Sequence, residues 1–156
     1  YGGSRQARSL RHLLVLELLR HGRPVRVKAR GASMIPFLLD GDVVTVSPAG
    51  GGEVGVGDVV CFAPPWAPLC LHRVIRRGAA LVVKGDAVSF SDLVAPEEVM
   101  GKVVAVERRG RTRRLDTAAA RATSRVVAAL SPVLWRLVPP AIALRRAVRS
   151  VLRGSS

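Results

Sequence analysis

Cysteine, histidine and aromatic residues are scarce in this 156-residue chain, and their scarcity narrows the possible functions. The two cysteines, Cys61 and Cys70, have no second pair, and no cysteine and histidine cluster has the spacing of metal ligands. We therefore expect reduced thiols, no metal and no cofactor. The chain also lacks a Gly-X-Ser-X-Gly motif, which argues against a small-molecule hydrolase of the α/β type.

Long apolar runs are missing as well. No segment reaches the roughly 18 to 20 apolar residues that a membrane-spanning helix needs. The nearest candidate, residues 10–19, is interrupted by Arg11, His12 and Glu17, and no small-residue cleavage site follows it. The sequence predicts a chain without a transmembrane segment, either cytoplasmic or bound to the membrane periphery.

Acidic residues are few at both ends of the chain. Residues 1–30 carry eight basic residues against one acid, and residues 108–156 carry twelve against one. Residues 31–107 carry five basic residues against nine acids, and the whole chain has a net charge of +14. Basic ends favour an anionic membrane surface or nucleic acid. The C-terminal tail has one aromatic residue, Trp135, and no interleaved stacking residues, which argues against nucleic acid.

The middle of the chain has the pattern of a small β domain. Residues 9–20 carry leucines at helical spacing, and Gly22 and Pro24 then end this short amphipathic helix. Val25 and Val27 alternate with basic residues, as in a half-buried strand. Short β-rich runs follow at 43–46, 59–62, 71–75, 81–83 and 99–106. The sequence thus predicts a mainly β fold, a small coiled antiparallel sheet domain with a short N-terminal helix.

After Asp116 the composition changes to alanine, valine, leucine and arginine. Ser131-Pro132 and Pro139-Pro140 are expected to divide this segment into three helical pieces, because proline is tolerated only in a first helical turn. The last piece is amphipathic and Arg-rich, and could lie on a membrane, dock on its own domain or bind a partner. We predict three regions: helix 1–23, β domain 24–116 and basic helical tail 117–156.

Ser33 lies in the stretch GASMIPFLLDGD, an unusual setting for a surface hydroxyl. A nucleophilic serine needs a base within reach, donors for the oxyanion and exposure at a cleft. The surrounding turn can supply backbone N–H groups. Of the three histidines, only His72 lies in the β domain, on the predicted strand Leu71-His72-Arg73-Val74-Ile75.

Two carboxylates downstream, Asp86 and Asp92, could orient the imidazole of His72. Each also has a plain structural explanation, since Asp86 follows a glycine in a turn and Asp92 can cap a turn or helix. From the residues alone, a hydrolytic site and a purely structural role are equally well supported.

Five motifs, in this order, resemble the signal peptidase I family: GASMIPFLLDGDVVTV, VGDVVCF, LHRVIRRG, LVVKGDAVSFSD and EEVMGKVVAV. The resemblance covers about residues 24–108. His72 stands where the bacterial enzymes carry a lysine base, so the chain is similar to the His-type subclass of the endoplasmic reticulum, archaea and spore formers. The resemblance implies that Ser33 is the nucleophile, His72 the general base and acid, Asp92 the orienting carboxylate and Asp86 a supporting acid. Lys84 does not occupy the position of the family's base, so we treat it as a secondary candidate for the base.

The resemblance also implies a serine endopeptidase that cleaves a leader or signal-like peptide after small residues, of the type Ala-X-Ala. The substrate would bind as an added extended strand, with Ala32, Ser33, Met34 and Pro36 forming the oxyanion hole and substrate contacts. Family members usually carry a membrane anchor before the serine, and here only a short charged helix precedes it. A peptidase dedicated to one exported or modified peptide is therefore expected, with the basic tail on an anionic membrane.

Two alternatives remain open from the sequence. The first is a non-catalytic basic module that binds membranes or nucleic acid on the same scaffold, since twelve arginines follow residue 107. The second is self-processing, because residues 118–122 contain small-X-small sequences of the kind such a peptidase would cleave.

Overall fold

The computed structural model describes residues 3–133 and residue 136, with side chains from residue 10 onward. Eight strands form one antiparallel sheet, and a helix lies toward each end of the described chain, so the mainly β prediction is confirmed. The elements are α1 (Gly3–Arg20), β1 (Val25–Lys28), β2 (Val43–Pro48), β3 (Val59–Phe62), β4 (Cys70–Arg77), β5 (Leu81–Lys84), β6 (Ser91–Val94), β7 (Val99–Arg108), β8 (Arg111–Arg114) and α2 (118–133).

The order of strands in the sheet is β1-β2-β7-β3-β4-β5-β6, and β8 pairs with β7. The long strand β7 joins the two halves, because it pairs with β2 on one side and with β3 and β8 on the other. Strands β1 and β6 lie at the two ends of this path. Each of these edge strands has one hydrogen-bonding side without a strand partner in the described residues.

Hydrophobic clusters cover both faces of the sheet. Strand β3 shows this directly, because all four of its residues are buried. Val59 and Cys61 belong to one cluster, whereas Val60 and Phe62 belong to the other. This arrangement follows from the alternation of side chains along a strand. The first cluster also contains buried residues of α1 and of the loop between β1 and β2, so this loop is anchored in the core.

Two strands were not predicted from the sequence. β6 contains Ser91-Asp92-Leu93-Val94, of which only Val94 is buried, and β8 contains four exposed polar residues. Neither has the apolar alternation that marks a half-buried strand. They form because β5 and β7 offer backbone partners to them. Asp92 therefore lies within a strand rather than capping a turn or helix.

Helix α2 packs on the sheet through a narrow face of small residues. Ser124, Ala128 and Ser131 are its buried residues, spaced as neighbours on one helical face. Gly57, with φ of +99°, permits this close approach: a Cβ there would lie 2.9 Å from the backbone nitrogen of Arg125. The first part of the basic tail therefore docks on its own domain.

The predicted break at Ser131-Pro132 is wrong, because α2 runs without interruption from residue 118 to residue 133. Proline removes one helical hydrogen bond. Here Ser131 is fully buried and Lys84 Nζ donates to its carbonyl oxygen, which holds this turn in place. The Arg-rich piece after Pro140 lies outside the described residues. Over the described residues, no helix is both long and apolar enough to cross a bilayer.

Candidate active site

The loop between β1 and β2 carries Ser33 and is fixed at both ends. Ala29 donates its N–H to the carbonyl of Asp42 at 2.7 Å, and Gly41 donates to the carbonyl of Ala29 at 2.9 Å. Between these ties, Met34 and Leu38 are buried in the first hydrophobic cluster. Ser33 is thus a half-buried residue on a loop that is anchored to the rest of the domain at its ends and through Met34 and Leu38.

The turn leaves two backbone donors free beside the hydroxyl. The N–H groups of Ser33 and Met34, and Oγ of Ser33, make no hydrogen bond to any described residue. Such donors can stabilise an oxyanion if they point to where its charge develops. The predicted contact Pro36 has no N–H to donate, so it can only shape the site. Ala32 is exposed and its carbonyl accepts from the N–H of Ile35.

Ser33 lies directly against the Lys84-Gly85-Asp86 segment. Ala87 donates its N–H to the carbonyl oxygen of Ser33 at 2.8 Å. A Cβ on Gly85 would lie 2.6 Å from that same oxygen and 3.1 Å from Ser33 Cβ. Only glycine permits this approach, so Gly85 is a site residue that motif analysis did not assign a role. The position of this glycine between Lys84 and Asp86, inside one of the motifs, is the sequence feature that could have indicated its role.

His72 comes to the same glycine from strand β4. The ladder between β4 and β5 pairs Arg73 with Lys84. One step further along this antiparallel register sets Gly85 beside His72. Ser33 thus contacts Gly85 from the loop, while His72 lies on the neighbouring strand; no hydrogen bond joins the side chains of Ser33 and His72 in this structure.

The imidazole of His72 is enclosed by aromatic rings. Only 2% of the residue is exposed. The ring of Phe62 meets it edge-on at 5.8 Å between centroids, and Trp66 lies at 6.4 Å with its rings tilted by 36°. Trp66 is itself 57% exposed, so it forms an outer wall of this pocket.

Asp92 faces the inner nitrogen of His72. Nδ1 of His72 lies 3.4 Å from Oδ2 of Asp92, longer than an ordinary hydrogen bond, and neither atom has another partner among the described residues. Burial lowers the pKa of His72 below 6.5, while the negative charge of Asp92 opposes that shift. The imidazole is therefore held neutral near pH 7, as a general base requires.

Asp86 has a different partner. Its Oδ1 accepts from Nε of Arg73 at 2.8 Å and its Oδ2 from Nη2 at 2.7 Å. Nη1 of Arg73 donates to the carbonyl of Gly57 at 2.9 Å, and both charged side chains are fully buried. Asp86 thus influences His72 only through its charge, which raises the pKa of the imidazole. The carboxylate that faces His72 is Asp92.

Two further candidates for nucleophile or base are directed elsewhere. Nζ of Lys84 is buried and donates to the carbonyl and hydroxyl oxygens of Ser131 on α2. Burial lowers the pKa of Lys84, with Asp86 opposing that shift. Cys70 is a free thiol next to the site, and burial together with the charge of Asp92 raises its pKa to about 11. Cys70 is therefore protonated at neutral pH.

A groove of about 1,250 Å³ is lined in part by Ser33, whereas His72 and Asp92 are not among its lining residues. The rest of its lining includes residues of α1, of the edge strand β1 and of the segment from Pro68 to Leu71. Because β1 is paired only with β2, its outer side offers backbone groups to an added strand. The groove has the shape and the backbone donors to hold an extended peptide.

A metal site is not formed by the part of the chain that the structure describes, since no three histidine, cysteine, aspartate or glutamate residues there could hold an ion. Ser33, His72 and Asp92 supply hydroxyl, imidazole and carboxylate without such an ion. No protein-family model matches the sequence of this chain, and no curated protein matches it either.

Proposed function

We propose that this chain is a serine endopeptidase of the signal-peptidase type, which cleaves a leader or signal-like peptide after small residues. The observation that carries the proposal is the packing of Ser33 against Gly85, which directly follows the strand paired with the strand of His72, together with the His72–Asp92 pair and a groove that Ser33 lines. A site of structural residues alone would not need a free hydroxyl, free amides and a neutral imidazole together.

The reaction follows from these groups. Oγ of Ser33 attacks the scissile carbonyl carbon while its proton passes to Nε2 of His72, and Asp92 stabilises the imidazolium that forms. The N–H groups of Ser33 and Met34 are the available donors for the oxyanion. When the C–N bond breaks, His72 gives the proton to the leaving amine. A water molecule, deprotonated by His72, then hydrolyses the acyl-enzyme and releases Ser33.

Before attack, the side chain of Ser33 has to rotate so that Oγ forms a hydrogen bond with His72. Ser33 Oγ has no hydrogen-bond partner among the described residues, so rotation about its Cα–Cβ bond is not opposed by an existing hydrogen bond. Catalytic hydrogen bonds often become short only when substrate is bound. The 3.4 Å separation of His72 and Asp92 is expected to shorten in the same way, because protonation of the imidazole adds a charge-assisted attraction.

The test is cleavage of an Ala-X-Ala peptide library, analysed by mass spectrometry, with Ser33→Ala and His72→Ala beside the wild type. We expect each variant to lower kcat/KM by about 10⁴-fold or more, because the nucleophile and base act as a unit. Ser89→Ala and His21→Ala are matched controls at exposed positions and should retain activity. Cleavage that persists in Ser33→Ala would refute the assignment.

A membrane-binding module is the second candidate, and exposed leucines on α1 favour it. Leu10, Leu13 and Leu14 are 66%, 59% and 59% exposed, beside Arg11. An apolar helix face next to cations is typical of helices that lie in a bilayer interface. If the wild type cleaves no peptide, and vesicles containing anionic lipid bind the wild type and Ser33→Ala equally tightly, this second function replaces the first.

A further inference from the structure

The groove that Ser33 lines is strongly basic. Its lining includes Arg11, His12, Arg26, Lys28 and Arg30, and no carboxylate side chain. Of the described carboxylates, only that of Glu107 forms an ion pair with one of these cations, Arg26. Arg11, Lys28 and Arg30 are exposed and make no ion pair with any described residue. The remaining wall of the groove is mainly apolar.

We propose that this groove selects substrates with an acidic segment, in which acidic side chains alternate with small or apolar ones. This inference rests on the proposed peptidase function and adds the chemistry of the substrate. Exposed cations without an ion pair to any described residue complement a negatively charged segment, and the unpaired side of strand β1 complements an extended one. We therefore assign an extended acidic peptide as the occupant.

The alternation follows from strand β1. Arg26 and Lys28 are exposed, whereas Val25 is buried and Val27 is half-buried. Arg30 continues the spacing toward Ser33. A peptide that pairs with this edge presents every second side chain to the cations, because residues opposite each other on paired strands share a face. We expect acidic residues at alternate positions, about three to seven residues from the scissile bond at roughly 3.3 Å per residue.

Helix α1 places a further polar group in the groove. Nδ1 of His12 is buried and has no hydrogen-bond partner among the described residues. His12 and Arg11 line the groove together with strand β1. Helix and strand thus both contribute basic or polar side chains to this groove.

The experiment measures peptide binding to the full chain with Ser33→Ala, which cannot turn over substrate. The probes are fluorescein-labelled peptides with an Ala-X-Ala core and three glutamates at alternate positions, placed on the N-terminal or the C-terminal side, and matched peptides with glutamine. Fluorescence anisotropy at about 50 mM salt gives Kd. We expect one glutamate peptide to bind about tenfold tighter than its glutamine counterpart, equivalent to about 1.4 kcal/mol.

Charge-reversal variants localise the preference. Lys28→Glu with Arg30→Glu should abolish the preference for glutamate, and Lys28→Gln with Arg30→Gln should reduce it by about half on a logarithmic scale. The matched control is Arg76→Glu with Arg111→Glu, which changes the net charge equally at exposed positions outside the groove. The control should keep most of the preference, since screening weakens distant charges.

Three outcomes would overturn the inference: equal binding of glutamate and glutamine peptides, equal loss in the control variant, or displacement of the peptide by phosphatidylglycerol vesicles through Lys28 and Arg30. The last would assign the basic groove to a lipid surface. The wild-type chain separates a failure of the proposed peptidase function from a failure of this inference. If the wild type does not cleave the glutamine peptide, the peptidase function fails, whereas the binding preference measured with Ser33→Ala still stands. Cleavage without charge preference would refute only this inference.

Discussion

Two neighbouring residues on β4 each face an aspartate, and the two pairs differ in almost every physical respect. Arg73 holds Asp86 through two hydrogen bonds of 2.8 and 2.7 Å, with both side chains fully buried. His72 meets Asp92 through one contact of 3.4 Å, and the side chain of Asp92 is 21% exposed. In the first pair both carboxylate oxygens accept hydrogen bonds away from solvent, whereas in the second pair no hydrogen bond is formed and the carboxylate is partly exposed.

The difference follows from the alternation of the strand. Adjacent residues point to opposite faces of a sheet, so His72 and Arg73 enter different surroundings although they are neighbours in sequence. The ring of Phe37 lies 4.4 Å from the guanidinium of Arg73 and helps to enclose it. His72 faces the aromatic wall that leads to solvent. The two carboxylates thus occupy different environments, since Asp86 is fully paired with a guanidinium whereas Asp92 faces an imidazole.

Among changes that separate the two pairs, the largest effect is expected from Asp92→Asn. Asparagine keeps the shape of the carboxylate but cannot stabilise an imidazolium, so we expect kcat/KM on an Ala-X-Ala peptide to fall by about 10³ to 10⁴-fold. Folding stability should change by less than about 1 kcal/mol, since no resolved hydrogen bond is lost. Steady-state kinetics and urea unfolding of the same preparation measure both quantities.

Asp116→Asn is the matched control, because Asp116 pairs with Arg114 at the surface, away from the groove. Its activity should equal that of the wild type. A decrease of less than tenfold for Asp92→Asn would mean that Asp92 does not orient the base. The two pairs on β4 would then differ in structure only, and Asp92 would have no part in the proposed reaction.

The second largest effect is expected on folding stability, and it is tested with the substitution Arg73→Met. It leaves the charge of Asp86 buried without a partner and the carbonyl of Gly57 without its donor. We expect a loss of about 3 to 5 kcal/mol in the free energy of unfolding, measured by urea denaturation. The double variant Arg73→Met with Asp86→Leu should recover much of this loss, because it removes both buried charges.

Arg76→Met provides the control for this experiment, as Arg76 is exposed on the same strand and should change stability by less than about 0.5 kcal/mol. If the double variant were no more stable than Arg73→Met, the loss would come from packing rather than from an unpaired charge. The Arg73–Asp86 pair would then not be the electrostatic support that its geometry indicates.

The fold could be predicted in large part from valine alternation. Strand β3 was placed at its observed bounds, and β4, β5 and β7 within a few residues. The failures share one feature: β6 and β8 are stabilised by backbone pairing, and the turn of α2 next to Pro132 is contacted by Lys84 through Ser131. Such contacts join segments far apart in sequence, so local patterns do not reveal them.

The candidate site was only partly accessible from sequence. Motifs named Ser33, His72, Asp86 and Asp92, yet spacing could not decide which carboxylate faces the imidazole. That choice depends on register: β4 pairs with β5, β5 pairs with β6, and Asp92 lies opposite Val83. The role of Gly85 was hidden for a similar reason, because its close neighbour Ser33 belongs to a loop fifty residues earlier.

The smallest expected effect is a change in pH dependence that only one pair should show. Burial lowers the pKa of His72 below 6.5, and the charge of Asp92 limits that shift. Asp92→Asn should therefore lower the pKa of His72 further. NMR titration of the His72 ring protons in the wild type and in Asp92→Asn measures the direction of this change.

The sign of the accompanying stability change can be fixed in advance. Since the folded-state pKa lies below the unfolded value of 6.5, the unfolded chain binds more protons in the interval between them. The contribution of neutral His72 is therefore complete above pH 6.5 and is lost as the pH falls through the folded pKa. Asp92→Asn should steepen this acid-side loss, whereas a guanidinium–carboxylate pair keeps its cation throughout the range. A rise in the pKa of His72 on removing the Asp92 charge would contradict the contact on which the proposed mechanism rests.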